Sequence, residues 1–224
     1  MLALKQGLSL VSSNKVGGAG AWSPTDEASL EVWWQNAVGI TLNGSNVSQW
    51  DDSSTNTYDL TQSTAASQPA YSGGILTFDG ANTNLISPDF SLTGAFTIGM
   101  RGDFTTTGGT ILGDDDTSNA WLKCFSTTVL RLRVSTGNAS FTLSSGTFGD
   151  DYLVITRDAS NVINTYRNGV QIGVSVTRSG NVKTDNLGFS LSGGYFTGTI
   201  SEVQIYTSTT TDLTANINSR LASL

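Results

Sequence analysis

The densest group of oxygen ligands in this sequence is the acidic run Asp114-Asp115-Asp116-Thr117-Ser118-Asn119. Carboxylate, hydroxyl and carbonyl oxygens are the ligands that calcium prefers in proteins. The run lies between two strand-like segments, so the folded chain would hold it in a loop, where binding residues concentrate. We therefore expect that a metal ion, if one binds, is calcium held by these three aspartates. The alternative is a solvated acidic turn.

Trp121 lies close behind the same run and suggests a second kind of chemistry. A sugar site needs an aromatic ring beside amide and carboxylate groups. Asp114, Asp116, Asn119 and Trp121 would supply such a set. Burial of Trp121 in the core is the alternative, because aromatic side chains contribute much of the buried area in sandwich folds. Weaker candidates for an ion are the acidic pairs that begin at residues 51 and 150.

Residues for glycan hydrolysis are scarce. Such enzymes use two carboxyl groups held about 5 to 10 Å apart, one with a raised pKa. The sequence has three glutamates, Glu27, Glu31 and Glu202, and no aspartate lies between the first two. The absence of histidine excludes a Ser-His-Asp triad and most zinc sites. We expect no enzymatic activity, although two aspartates from different loops are an alternative that composition does not exclude.

Cys124 is the single cysteine of the sequence. One cysteine forms no disulfide within the chain, and without histidine its thiol lacks the usual general base. Free cysteine is among the most buried residue types. We therefore predict that Cys124 is a small apolar side chain buried on a strand.

Composition excludes two classes of partner. A net charge of -7 argues against a protein that binds the phosphate backbone of nucleic acids, which needs clustered Lys and Arg. No segment approaches the roughly 18 consecutive apolar residues of a membrane span, so we expect no membrane insertion. Only 13% of the residues are charged, so hydroxyls and amides must cover much of the surface. That surface is common on extracellular and virion proteins.

The elements that position these residues are predicted to be strands. From Trp22 onward, short strand-like runs end at Gly, Asn, Asp or Ser, and helices do not alternate with strands. Arg167-Asn168-Gly169-Val170 is the strongest local signal, because Asn-Gly suits a type I′ hairpin turn. The expected fold is an all-β, two-sheet antiparallel jelly-roll sandwich.

Four further expectations concern individual elements. Residues 95–100 alternate, which puts Phe96, Ile98 and Met100 on one face. The irregular pattern of residues 198–206 predicts a bulge near Glu202. Residues 187–191 are expected to form a strand. Apolar residues four apart predict one short C-terminal helix over residues 213–221, capped by Asp212.

The three tryptophans in the first predicted strands are expected in the core, because apolar residues flank them. They are Trp33, Trp34 and Trp50.

Residues 1–22 differ from the domain expected at residues 23–224. Leu2, Leu4, Leu8 and Leu10 are spaced by two in pairs, as in an extended strand, and Gly17-Gly18-Ala19-Gly20 indicates a flexible hinge. An apolar arm on a glycine hinge has no core of its own. It packs along its own domain, joins a neighbouring subunit, or docks on another protein. We expect an assembly element and a homo-oligomer.

Several motifs together point to a family. Gly17-Gly18-Ala19-Gly20-Ala21-Trp22-Ser23-Pro24, Trp33-Trp34, Val47-Ser48-Gln49-Trp50-Asp51-Asp52 and Phe78-Asp79-Gly80 resemble laminin-G-like, concanavalin-A-like jelly-roll domains of bacteriophage tail, fibre and decoration proteins. The segment that ends at Gly80 carries the more specific part of this resemblance. The segment from Gly198 to Tyr206 is similar to the last core strand of these domains, where the glutamate is structural.

This resemblance implies a phage virion structural module on the particle surface, attached to other virion proteins or oligomerised through its arm. Host surface glycan would be its ligand, and calcium would bind at the rim of the sandwich. The alternatives are a carbohydrate-binding, lectin-like module of a secreted or surface protein and, third, a glycan hydrolase.

Overall fold

The computed structural model describes residues 21–116 and 121–224, in which strands are the main regular element. Short 3-10 turns occur at Pro24–Asp26 and Ala65–Ser67. The strands are β1 Leu30–Trp34, β2 Ile40–Asn43, β3 Asn46–Trp50, β4 Leu60–Thr61, β5 Ala70–Ser72, β6 Ile75–Asp79, β7 Leu85–Leu92, β8 Phe96–Asp103, β9 Leu112–Gly113, β10 Trp121–Ser126, β11 Val129–Val134, β12 Gly137–Thr142, β13 Asp150–Arg157, β14 Val162–Arg167, β15 Val170–Thr177, β16 Val182–Leu187 and β17 Thr197–Tyr206. One helix, α1 Thr211–Ala222, follows them.

The strands form two antiparallel ladders that face each other across the core. The first runs β15-β14-β13-β8-β17-β1, and the second runs β12-β11-β10-β9-β16-β7-β4-β3-β2. Strand β6 pairs with β17, and β5 pairs with both β6 and β3, so the ladders join into one barrel-like network. The predicted all-β antiparallel sandwich with a short C-terminal helix is confirmed. The predicted arm, with Leu2, Leu4, Leu8 and Leu10, lies outside the described residues.

Buried aromatic and aliphatic side chains of both ladders fill the core. Trp34 and Trp50 belong to this cluster, as predicted, whereas Trp33 is buried outside it. Phe96, Ile98 and Met100 also point into the core. Their strand, β8, is buried on its other face too, because α1 covers it.

Helix α1 packs on the outer face of the first ladder through Leu213, Ile217 and Leu221. The approach is close at Gly99, where an added Cβ would lie 2.5 Å from Cγ2 of Ile217. The predicted cap is wrong. Thr210 caps the helix, and its Oγ1 accepts a hydrogen bond from the N–H of Leu213 at 3.0 Å. No helix within the described residues is long and apolar enough to cross a membrane.

Two local predictions are confirmed. Arg167 pairs with Val170, and both residues between them, Asn168 and Gly169, have positive φ, as a type I′ turn requires. The register of β17 against β8 shifts between Ile200 and Glu202, which is the expected bulge.

The strand predicted at residues 187–191 is wrong, because β16 ends at Leu187. Gly188 follows with a positive φ and turns the chain away. Strand β7 was not predicted from the sequence. It contains Pro88, which has no N–H to donate to a neighbouring strand, and a proline argues against a strand. In its register against β16, Ile86 and Phe90 face Asn186 and Thr184, so β7 carries two extra residues around the proline.

Candidate functional site

The acidic run emerges at the end of β9, next to the start of β10. Asp114, Asp115 and Asp116 meet Asp185 of β16, and one carboxylate oxygen of each lies within 4.8 Å of the others. Asn119 lies outside the described residues. Asp185 is 70 positions from Asp115 in the sequence. Only the pairing of β9 with β16 shows that Asp185 belongs to the same site.

Lys183 of β16 neutralises part of this acidic cluster. Its Nζ lies 3.0 Å from Asp89 Oδ2, 3.1 Å from Asp116 Oδ2 and 3.4 Å from Asp114 Oδ1. The hydrogen bond to Asp89, with those of the cluster, raises the pKa of Lys183 above its usual value. The lysine is therefore a charged counter-ion at neutral pH.

Asp185 is a buried carboxyl group of the same cluster. Its side chain is only 4% exposed, and its Oδ1 accepts a hydrogen bond from the N–H of Asp115 at 3.1 Å. Burial, followed by the carboxyl of Asp115, raises the pKa of Asp185 to about 8. The raised pKa limits the negative charge of the cluster at neutral pH.

The acidic cluster fits calcium in size and ligand type. Oxygens bound to one Ca²⁺ at about 2.3 to 2.6 Å lie at most about 5 Å apart, and the four carboxylates meet this limit. A bound ion would take the place of the Lys183 ammonium at Asp114 and Asp116. It would also favour loss of the proton of Asp185.

The weaker acidic pairs have structural partners instead. Asp52 accepts hydrogen bonds from the N–H groups of Trp33, Ser54 and Tyr58. Asp151 forms an ion pair with Arg167 at 2.8 Å. These aspartates organise loops and strands.

Trp121 lies beside the acidic cluster but is only 7% exposed. It belongs to neither hydrophobic cluster of the described residues. Its ring is on the outward face of β10, and the Nζ of Lys123 lies 4.5 Å from the ring centroid. The ring is thus buried beneath a cation, and it offers no open sugar platform in this structure.

An open groove of about 620 Å³ lies elsewhere, between α1 and the outer face of β13 and β14. Its lining combines an aromatic ring, a carboxylate, amides and hydroxyls, and includes Thr156, Asp158, Asn164, Tyr166, Thr211 and Asn218. Ligand sites are typically grooves of about 300 to 1,000 Å³ with a few convergent polar groups. This groove has that size and composition.

Several polar atoms of the groove lack protein partners. The Oδ1 of Asn164 accepts from Gln171 and Ser175, which leaves its NH₂ group without a partner among the described residues. The Oδ1 of Asn218 is shielded from solvent without a hydrogen bond in the described part of the chain. Tyr166 packs its ring against the α1 cluster, which consists of Val154, Tyr206, Leu213, Ile217 and Leu221. The groove therefore offers both donors and acceptors beside an aromatic ring.

Sequence reasoning missed this groove. Asn164 and Tyr166 alternate outward on β14, while Asn218 comes from α1, far along the chain. The only sequence signal for the groove is that Asn164 and Tyr166 are two positions apart on a strand, which places them on the same face. The docking of α1 turns that exposed strand face into a groove, and docking depends on contacts across the whole domain.

Two of the three glutamates accept hydrogen bonds within the described structure. Glu202 is fully buried and accepts from Arg220, from Trp33 Nε1 at 3.1 Å and from Asn36 N at 3.1 Å. Glu27 accepts from the indole of Trp22 at 3.0 Å. Cys124 is buried on β10 as predicted, and burial raises the pKa of its thiol to about 12.

Comparisons with known proteins identify the fold. No protein-family model and no curated protein sequence matches this chain. Among solved structures, a Trypanosoma rangeli sialidase with 2,3-difluorosialic acid matches with a TM-score of 0.61 at 17% identity, over 96% of this chain and 35% of the sialidase. Botulinum neurotoxin type C, whose cell entry depends on interaction with two ganglioside molecules, matches with a TM-score of 0.55 at 12% identity, over 87% of this chain and 51% of the toxin chain.

A third similar structure is domain 4 of AbnA, an extracellular arabinanase from Geobacillus stearothermophilus, in complex with arabinotriose. It matches with a TM-score of 0.55 at 19% identity, over 88% of this chain and 99% of that domain. The chain thus spans about a third of the sialidase, half of the toxin chain and nearly all of the arabinanase domain. At these identities the likeness shows the sandwich fold.

Proposed function

We propose that this chain is a carbohydrate-recognition module and that the groove between α1 and β14 binds the saccharide. The unpartnered NH₂ group of Asn164, beside the ring of Tyr166, carries this proposal. Saccharides present hydroxyls that both donate and accept, and C–H faces that pack on aromatic rings. Asn164 supplies donors, and the threonines around the helix start supply hydroxyls that donate and accept.

The structural neighbours support the same class of ligand. Each of the three is described with a saccharide or a saccharide-bearing lipid. In the arabinanase the matching unit is a separate domain that holds arabinotriose. Arabinotriose is therefore the first probe for the groove.

The proposed module is non-catalytic. Its buried glutamate, Glu202, is bound by Arg220, and the carboxyl with a raised pKa, Asp185, is buried in the acidic cluster beside Asp115. One oxygen of each of the four carboxylates in that cluster lies within 4.8 Å of the others, well below the roughly 6.5 to 9.5 Å that inverting glycosidases need to admit a water. This crowding suits an ion better than a water and a sugar ring.

The setting that we propose is a bacteriophage particle, with residues 1–22 attaching the module to other virion proteins or to further copies of itself. The support is the sequence resemblance of the segment that ends at Gly80 and the glycine hinge before Trp22. The second candidate is a lectin-like module of a secreted or surface protein, in which the groove has the same role and the arm is a linker.

Calorimetric titration with arabinotriose, supported by a glycan array, tests the groove. Replacing Tyr166 by Ala should weaken saccharide binding about tenfold or more, because a lost ring contact costs roughly 1 to 2 kcal/mol. Tyr152→Ala is the matched control, since Tyr152 also packs against the α1 cluster but does not line the groove.

Equal saccharide affinities of the Tyr166→Ala and Tyr152→Ala variants would refute the proposal that the saccharide binds in the groove. A loss of binding in Trp121→Ala or Asn119→Ala, with Tyr166→Ala unaffected, would instead place the saccharide at the acidic run.

A further inference from the structure

The outward face of β10 and β11 carries three cations, Lys123, Arg131 and Arg133, which we call the cationic face. Their neighbours along each strand, such as Leu122 and Leu132, point into the core. The two strands pair so that Lys123 faces Arg131 directly and Trp121 faces Arg133. The cations therefore lie side by side on one surface of the second ladder.

None of the three cations has a carboxylate partner within the described residues. Arg131 donates from Nε to Ser140 Oγ at 2.9 Å, and the Nε of Arg133 is shielded from solvent with no hydrogen bond to the described chain. Every other Lys or Arg in the described part bonds to a carboxylate or a backbone carbonyl. These are Arg101, Arg157, Arg167, Arg178, Lys183 and Arg220.

Like charges placed directly opposite each other on paired strands are destabilising. Burial and the neighbouring Arg131 together lower the pKa of Lys123, as expected for crowded positive charge. The chain has 18 acidic residues against 11 basic ones, yet none of the acids in described positions lies against these cations. An anion from outside the chain would relieve the repulsion.

Aromatic rings contact two of the three cations, Lys123 and Arg131. The guanidinium carbon of Arg131 lies 3.4 Å from the centroid of Phe125, and the Nζ of Lys123 lies 4.5 Å from that of Trp121. Such stacking fixes a guanidinium while its remaining N–H groups stay free to bind a carboxylate or sulfate with two hydrogen bonds. Phe125 itself is 47% exposed, so part of a ring is open beside the cations.

We propose that the cationic face is a second binding site, which takes an acidic polysaccharide through its carboxylate or sulfate groups. The exposed part of Phe125 contacts the sugar ring, while Arg131, Lys123 and Arg133 pair with the acidic groups. Nucleic acid is disfavoured because three cations on a chain of net charge -7 supply little attraction for a continuous phosphate backbone. The cationic face lies on the second ladder and the groove on the first. Binding at one site therefore does not require binding at the other.

Binding of the full chain to four polymers at low salt tests the proposal. Hyaluronate presents carboxylates, dextran sulfate presents sulfates, dextran is the neutral polymer, and poly(dT) is the nucleic acid. We expect binding to one or both acidic glycans that weakens as salt is added. Arg131→Gln should reduce it about tenfold or more, as for the loss of a charged hydrogen bond.

Arg101→Gln is the matched control, since it removes the same charge from an ion-paired arginine on β8. Its affinity should change less than about twofold, as expected for an exposed ion pair far from the site. Arg131→Lys should bind with intermediate affinity, because it keeps the charge and loses the two-bond geometry. Tyr166→Ala should bind acidic glycan normally, which separates this site from the groove.

The proposal is overturned if dextran binds as tightly as the acidic glycans, or if no acidic glycan binds at low salt. Equal losses in Arg131→Gln and Arg101→Gln, or tighter binding of poly(dT) than of either acidic glycan, would also overturn it. If Arg131→Gln lowers the melting temperature, Lys123→Gln takes its place with the same expectations.

Discussion

Arg220 of α1 binds Glu202 of β17 through two contacts, with Nη2 2.8 Å from Oε2 and Nε 2.5 Å from Oε1. The carboxylate is fully buried, and the guanidinium carbon lies 4.9 Å from the ring centroid of Trp33. The pair fastens the C-terminal half of the helix to the sheet. Since α1 forms one wall of the groove, this ion pair also maintains the proposed saccharide site.

Replacing Arg220 by Met should lower the free energy of unfolding by about 3 to 5 kcal/mol, because it leaves a buried carboxylate without its cation. Denaturant titration measures this cost. Adding Glu202→Gln to the variant should restore part of the loss, and Arg101→Met, at an exposed pair, should cost less than about 1 kcal/mol. A loss no larger than that of the control would contradict a stabilising role for the Arg220–Glu202 pair.

Stability should fall as pH rises from about 4 to 8 when divalent ions are removed with chelator. In this window folded Asp185, with its pKa raised to about 8, keeps a proton that the unfolded chain has lost. One such proton makes the free energy of unfolding fall by at most about 1.4 kcal/mol per pH unit. Urea titrations across the window should show this slope in the wild type and a smaller one in Asp185→Asn. Parallel curves for the two proteins would contradict it.

Calcium should raise the melting temperature through binding to the acidic cluster, by mass action on the folded state. Thermal melts in excess calcium and in chelator measure the difference. Asp114→Ala/Asp116→Ala should abolish it. Lys183→Gln should enlarge it, because the variant removes the cation that competes for those two carboxylates. A wild-type melt that ignores calcium would show that the cluster is a solvated, lysine-paired turn.

Deleting residues 1–20 should leave a folded domain and change its assembly, because the apolar arm has no role in the predicted core. Light scattering reports the oligomeric state, and co-sedimentation with particles reports attachment. Substituting Leu2, Leu4, Leu8 and Leu10 by Ser should have the same effect as the deletion. Unchanged oligomeric state and unchanged attachment together would exclude an assembly role.

The protein should release no reducing ends from β-glucans, agars, alginates or bacterial surface polysaccharide. The physical reason is that Glu202 is buried in an ion pair with Arg220 and that Asp114 and Asp116 of the acidic cluster are paired with Lys183. Reducing-sugar assays over pH 4 to 9 check this, and the range brackets the titration of Asp185. Turnover that disappears in a single Asp→Asn variant would identify a catalytic residue and reverse the assignment.

Local signals in the sequence determined much of the fold. The Asn168-Gly169 turn follows from the two backbone angles that it needs, which neighbouring residues set almost alone. The burial of Trp34 and Cys124 follows from apolar patterning along single strands. The sequence predicts Asp212 as the cap of α1, whereas the structure has Thr210. Both side chains carry an oxygen that can accept from the first N–H groups of the helix, and only the backbone geometry decides between them.

Only the tertiary structure decided the sites, because their residues meet through pairing and docking over long sequence separations. Asp185 and Lys183 join the acidic run through the pairing of β16 with β9, and this brings a buried carboxyl group and a counter-ion to the predicted calcium ligands. Asn164 and Asn218 become one groove when α1 docks on β14. No periodicity in one segment encodes these contacts, since their energies depend on burial and on charges from other strands.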